Sequence, residues 1–349
     1  IEILSDLFKH SSKEDIEKIV YLTQGRIAPF FQALEIGMAE KQVAGAIAVS
    51  LNIKREEVLK QYSKLGDMGL VMQSLKSKVP TSPRLRGASK SQKSKVTIDE
   101  VFEILTKIAK TSGEGTVEKR QTLLSDLLKK LDPISAKHLV RIPLGNTRLG
   151  IGDPTILDGL ALAKLGDRSK RKLLEGAYNR TSDLGLIAKT LFSEGLQAVQ
   201  ELRVQVGKPI RSELCERLPT PEKVIEKMST VNAQFKYDGF RVQIHKDGNK
   251  VTMFSRNLEN MTHMFPELIE GTLKQVKAKT AILDTEALAY QRESEEFLPF
   301  QETTKRRRKH NILEMAKSLP LRAFVFDILY ADGKSLIDTA LVKRIEILK

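Results

Sequence analysis

Apolar residues recur at three- and four-residue steps through the first two hundred positions, the spacing of buried helix faces. Ile16, Ile19 and Val20 form one such set, and Val43, Ile47 and Leu51 another, with Pro29, Gly37 and the Asn52 region as breaks. The rhythm resumes at Thr97 and runs to about Gln205. Val101, Ile104, Leu105 and Ile108 make one stripe, and Leu123, Leu124, Leu127, Leu128 and Leu131 make a second, with Gly113 and Gly115 turning the chain between them. No strand-like alternation precedes residue 230. Residues 1–206 are therefore expected to form an all-α domain.

Gly207, Pro209, Pro219 and Pro221 then interrupt the pattern. Proline holds itself and its predecessor in extended conformations, so residues 207–221 are expected to connect two domains. Past them the period becomes two. Residues 240–246 alternate, Asp247, Gly248 and Asn249 signal a turn, and residues 250–256 alternate again. Val242 and Ile244 fall on one face, and Arg241, Gln243 and His245 on the other. Residues 281–290 and 321–330 are further strands, separated by helices near 265–276 and 311–317. Residues 222–349 are thus expected to form an α+β domain with an antiparallel sheet.

Composition adds limits. At 349 residues, 41% apolar and 29% charged, the chain suits two or three soluble globular domains. No apolar run approaches the ~20 residues of a membrane span, and no secretory pattern opens the chain, so no membrane partner is expected. The single Cys215 excludes an internal disulfide framework and points to a reducing compartment. The five His have no zinc spacing, so any metal should be oxygen-bound and Mg2+-like. A net charge of +14 predicts a polyanionic partner. Half of that charge lies in residues 73–98, which carry seven Lys or Arg and no acid. Rich in Ser and Pro, this stretch reads as a mobile basic loop, either a solvated linker or a nucleic-acid contact. Residues 40–62 fit a DNA-reading helix-turn-helix, a pattern that any helical bundle also gives. Opening on Ile1 and ending at Lys349 in a helical pattern, the chain reads as cut at both ends.

The candidate chemistry begins at Lys236-Tyr237-Asp238-Gly239, where Gly239 lets backbone pass close to a ligand. Arg241 follows, then Phe254-Ser255-Arg256-Asn257, then Ile282-Leu283-Asp284-Thr285-Glu286-Ala287. Last comes Phe324-Val325-Phe326-Asp327-Ile328-Leu329-Tyr330. This ordered set resembles motifs I, Ia, III and IIIa of the covalent nucleotidyltransferases, which comprise DNA ligases, RNA ligases and mRNA capping enzymes. The resemblance implies an ATP-grasp-like sheet with Lys236 as the adenylated nucleophile. It further implies Arg241 and Arg256 on the ribose and phosphate side, Glu286 on ribose or metal, and Phe326 stacked on adenine. The position two before the lysine often holds Glu in that family and reads the base; here Gln234 keeps a hydrogen-bonding group.

Elementary chemistry agrees. An amine nucleophile needs a pKa below its free ~10.4, and nearby cations favour the neutral form. Two arginine forks suit phosphate oxygens, a carboxylate such as Glu286 suits Mg2+, and an aromatic wall suits a purine. Alternation puts Asp284 and Glu286 on one strand face, with Asp284 expected to support rather than to bind ligand. Phe326 is favoured over Phe324 as the base-stacking ring, the other being core. The basic run 305–309 is expected on a solvated face near DNA.

A large helical half ahead of the lysine is similar to archaeal and eukaryotic replicative DNA ligases, not to capping enzymes. Stretches 141–157, 178–185 and 206–211 resemble theirs. In the first, Gly145, Gly150 and Gly152 bare backbone N–H groups before a helix that Asp153 caps and Pro154 opens, with Arg148 adding charge. The resemblance implies these residues as the DNA contact. It implies ATP as AMP donor, Mg2+, nicked duplex DNA as substrate, roles in replication, repair and recombination, and a monomer. A sliding-clamp partner is left open. The compartment would be the cytoplasm for an archaeal type or the nucleus for a eukaryotic one. Motifs IV and V and an OB domain would follow Lys349. A nick-binding fragment without catalysis, or a capping-type enzyme, remain as alternatives.

Overall fold

The computed structural model describes residues 1–78, 96–308 and 310–349, which gather into two compact units. The first comprises Ile1–Pro29, Leu34–Glu175 and Asp183–Gln200, and the second Phe30–Ala33, Gly176–Ser182 and Glu201–Lys349.

Among the described residues the first unit contains helices and no strand. Its core forms where helix Glu40–Leu51 packs on Thr116–Lys130, burying Val43, Ala44 and Ile47 with Leu124, Leu127 and Leu128. Both sets recur at three to four residues, which is why they share a face. Asn52, in a left-handed conformation, ends the first helix before Arg55–Leu65 begins. Residues 40–62 therefore do form a helix–turn–helix, and its inner face is core. Of the stretch 73–98 expected as a loop, residues 73–78 end the helix Met68–Lys78. Thr97 caps Ile98–Lys110 by accepting from the Glu100 N–H at 3.1 Å. The remainder, residues 79–95, lies outside the described residues. No described helix is long and apolar enough to cross a membrane.

The second unit is built on an antiparallel sheet of β1 (Phe240–Asp247), β2 (Lys250–Ser255), β3 (Thr280–Ala289), β4 (Leu321–Ala331) and β5 (Lys334–Ser335), in the order β2-β1-β3-β4-β5. Asp247 pairs with Lys250, leaving Gly248 and Asn249 as a two-residue turn with Gly248 at φ 56. Phe240, Val242, Ile244 and Leu283 face a core with Phe265 and Leu268 of helix Pro266–Gln275. The opposite face of β1 carries Arg241, Gln243 and His245.

Residues 207–221, expected as a connector, begin as part of this unit. Val204 and Ile210 pack on Ile282 of β3. The Gln243 side chain grips Ile210 twice, accepting from its N–H at 2.7 Å and donating to its carbonyl at 3.1 Å. His245, 1% exposed, accepts from the Gly207 N–H through Nδ1 at 2.9 Å. Its Nε2–H is then free to donate to Gln243 Oε1 at 2.9 Å. The strand pattern marked these residues as merely polar; their partner is the proline-rich segment itself.

Burial pushes the His245 imidazole down to about 3. Between that value and the free ~6.5 the unfolded chain holds a proton that the folded chain does not. Stability is therefore full above ~6.5 and falls as pH drops towards 3, by at most about 1.4 kcal/mol per pH unit. Urea midpoints measured from pH 7 to pH 4 should decline, and His245→Gln should flatten that slope. An equal slope in the variant would place the titration elsewhere.

Candidate functional site

A cavity of about 770 Å³ opens in the second unit, and every residue suspected of nucleotide chemistry lines it: Gln234, Lys236, Arg241, Arg256, Glu286 and Phe326. They arrive from separate places. Gln234 and Lys236 lie in the irregular segment before β1, Arg241 on β1, Arg256 just past β2, Glu286 on β3 and Phe326 on β4. Arg241 and Glu286 are direct cross-strand neighbours, so their side chains share a face. Lys236 stands in an exposed stretch without helix or strand, next to Phe235 at 86% exposure.

Glu286 lies within electrostatic reach of the lysine. Burial raises its carboxyl above the usual range, opposed by a Gly239 N–H bond and by the charges of Lys236 and Arg241. Gly239 serves the neighbouring strand: a Cβ there would stand 2.2 Å from the Ala287 carbonyl oxygen and 2.8 Å from Leu288 Cδ1. The tetrapeptide suggested close approach to a ligand, and the close approach observed is to β3. Gly239→Ala should cost about 1–3 kcal/mol of stability, as overpacking does, read by thermal or urea unfolding.

Asp284 lies on the same face as Glu286 but is occupied. It is 3% exposed, and both its oxygens take the Arg241 fork, Nε to Oδ1 at 2.7 Å and Nη2 to Oδ2. Burial raises the Asp284 carboxyl above its ordinary value, and the fork offsets this only in part. Arg241, desolvated in turn, is nonetheless held above its usual value by Asp284. Asp284 thus supports the arginine, as expected from the sequence.

The two rings of β4 separate by a bulge. Asp284 pairs with Asp327 and Thr285 with Val325, so Phe326 has no partner across the ladder. Phe326 reaches the cavity, with the Arg241 guanidinium 5.6 Å from its ring centre. Phe324 stacks on Tyr237 at 4.2 Å and 22°, and meets Phe297 edge-on at 5.0 Å.

Sequence reasoning missed several lining residues, including Arg217, Ser255, Phe300 and Arg307. Arg307 belongs to the basic run expected on a solvated face. Its neighbour Arg306 is 1% exposed, bonds Glu267 at 2.5 Å and lies 5.8 Å from the Phe265 ring centre. A charge run hid an interior ion pair, because the acid that accepts it sits 39 residues away. Lys309 lies outside the described residues. The carboxylates that line the cavity are Glu213 and Glu286, and among the described residues no three His, Cys, Asp or Glu converge as a metal cage. Two carboxylates suit an ion that takes most of its ligands from phosphate and water.

The glycine loop of the first unit has its own geometry. Gly145 and Gly150 take φ of 69° and 64°, and Gly152 is the N-cap of helix Asp153–Leu165. Asp153, expected as the cap, is the first helical residue, and its carboxylate accepts from Gln24 Nε2 at 3.1 Å. Arg148, expected as added charge, is already paired: its Nε meets Asp67 Oδ2 at 2.9 Å, and Nη2 donates to the Gly66 carbonyl at 2.9 Å.

Comparison with known proteins covers both units. Residues 1–161 match a family model described as DNA ligase N terminus, and residues 212–349 match one described as ATP dependent DNA ligase domain. The chain is 43% identical over 344 residues to a probable DNA ligase of Dictyoglomus turgidum, across 99% of this chain and 57% of that protein. It is 42% identical over 346 residues to a DNA ligase of Sulfolobus acidocaldarius, across 99% and 58%. Against DNA ligase 2 of Thermofilum pendens the figures are 41% over 345 residues, 98% and 57%. The chain thus spans a little over half the length of these curated relatives. With an N-terminal ligase region followed by an ATP dependent ligase domain, the chain belongs to the ATP-dependent DNA ligases.

Proposed function

We propose that Lys236 takes up AMP from ATP, as the first step in sealing nicks in duplex DNA. The observation that carries this reading is the convergence of Lys236, Arg241, Arg256, Glu286, Phe326 and Gln234 on one cavity from distant parts of the chain. The neutral amine of Lys236 attacks the α-phosphorus, an N–P bond forms as the bond to pyrophosphate breaks, and the amine proton is released. Arg256 and Arg241 hold phosphate and ribose oxygens, Arg241 with its orientation set by Asp284. Glu286 accepts from a ribose hydroxyl, Phe326 backs the adenine, and Gln234 bonds the base edge. Mg2+ bound to the phosphates would find Glu286 as its protein ligand and would neutralise charge on the departing pyrophosphate.

AMP then passes to the 5′-phosphate at the nick, and the 3′-hydroxyl displaces it as the backbone closes. In this reading residues 1–206 hold the duplex, residues 222–349 are an adenylation domain with an ATP-grasp-like sheet, and the glycine loop 145–152 meets the DNA backbone. Such contacts carry no sequence preference and weaken steeply with salt. The test is incubation with Mg2+ and ATP labelled at either the α or the γ phosphate. Label from the α position alone should remain on the denatured chain. Preference for GTP would favour the capping alternative.

One observation favours a second reading for the chain taken alone. Residues 230–238 form no strand and Lys236 is exposed, which suits a segment that binds nicked DNA without charging itself. Binding of nicked duplex with no label under any nucleotide would select it.

A further inference from the structure

We propose that Arg148 is a positioning residue: held by Asp67, it locks the glycine loop 145–152 in the shape that meets DNA, instead of giving its charge to a phosphate. This rests on the reading of that loop as a DNA contact.

Asp67 is 2% exposed and sits between helices Arg55–Leu65 and Met68–Lys78. Its Oδ1 accepts from the Leu70 N–H at 2.7 Å and from Arg141 Nη2 at 3.0 Å, while Oδ2 takes Arg148 Nε at 2.9 Å. Burial works against this carboxylate, yet the Leu70 N–H and the two guanidinium groups hold its pKa below the ordinary value. Arg148 is further fastened to the Gly66 carbonyl. Two of its three guanidinium nitrogens are therefore committed to acceptors of the chain itself.

The backbone gives the reason for such fastening. Arg148 takes φ 54°, a left-handed conformation that a residue with a Cβ adopts at a cost and keeps only where its surroundings impose it. It stands between Gly145 and Gly150, also left-handed, so the chain turns three times within six residues. The first turn is closed by backbone bonds, Gly145 N–H to Ile142 at 2.9 Å and Asn146 N–H to Arg141 at 3.2 Å. Among the described residues no hydrogen bond takes up the N–H groups of 149–152. The last part of the loop thus presents open donors ahead of the helix Asp153–Leu165, and the side chain of Arg148 is what fixes its approach.

The test pairs affinity for a nicked duplex, measured across salt, with amide hydrogen exchange of the free chain. Arg148→Ala leaves Asp67 bonded to Arg141, so the fold persists. It should weaken binding several-fold with an unchanged salt slope, and should speed exchange at Gly145 and Asn146, whose N–H groups are bonded within the loop. Asp67→Asn, which keeps an oxygen for Leu70, should also weaken binding although it makes the chain more positive. A slope smaller by about 0.9 in Arg148→Ala, with exchange unchanged, would show a direct phosphate contact and overturn the proposal. Faster exchange with unchanged affinity would leave the latch standing and overturn the loop's assignment to DNA.

Discussion

Lys236→Ala should reduce ATP-dependent labelling of the chain to background while leaving its unfolding midpoint within about 0.5 kcal/mol of the parent. The side chain is exposed and lies outside helix and strand, so its loss removes no packing. What disappears is the only atom that forms the N–P bond in the proposed step. Lys236→Arg sharpens the test. It keeps a positive charge beside Glu286, but a guanidinium stays protonated and supplies no nucleophile. Both variants should therefore fail equally, whereas a lysine that merely attracts phosphate would be replaced in part by arginine. Gel autoradiography of the denatured chain reads the difference.

Arg241→Ala should lower folding stability by about 3 kcal/mol or more, a loss of the size seen when one partner leaves a buried ion pair. The variant strands Asp284, which is 3% exposed and has both oxygens committed to the fork. The stranded carboxyl can relax only by taking up a proton. Burial already raises its folded pKa above the free value. A carboxyl with a raised folded pKa binds more protons folded than unfolded, so stability falls as pH rises through that window. Losing the guanidinium raises the folded value further, so the cost of Arg241→Ala should be full at neutral pH and shrink as pH falls towards 4. Removing Asp284 as well should recover part of the loss. Urea titrations of the single and double variants at two pH values check this; equal costs at both pH values would mean that water reaches Asp284.

The same pair shows what the chain discloses and what it conceals. Helix faces such as Val43–Ile47 against Leu124–Leu128 were legible because 3.6-residue spacing must become a stripe, and the Gly248-Asn249 turn because few residues accept its backbone. The six candidate residues of the cavity were legible through ordered motifs, whereas Arg217, Phe300 and Arg307, which also line it, stand outside those motifs. Pairings between distant charges were not. Asp67 with Arg148, and Glu267 with Arg306, join residues far apart in sequence whose polarity alone suggests solvent. The bulge that parts Phe326 from Phe324 was equally hidden, because a single unpaired residue leaves the alternating pattern intact when read along one strand. Residues 207–210 read as a connector from their Gly and Pro, since nothing in their own composition names Gln243 and His245 as partners.

Digestion of the chain after reaction with labelled ATP and Mg2+, followed by mass-spectrometric mapping of the adduct, bears most directly on the central claim. The account predicts AMP on the peptide containing Lys236, carried by the lysine nitrogen and absent from every other lysine. AMP on a different lysine, or reaction with ATP that leaves Lys236 unmodified throughout, would contradict it.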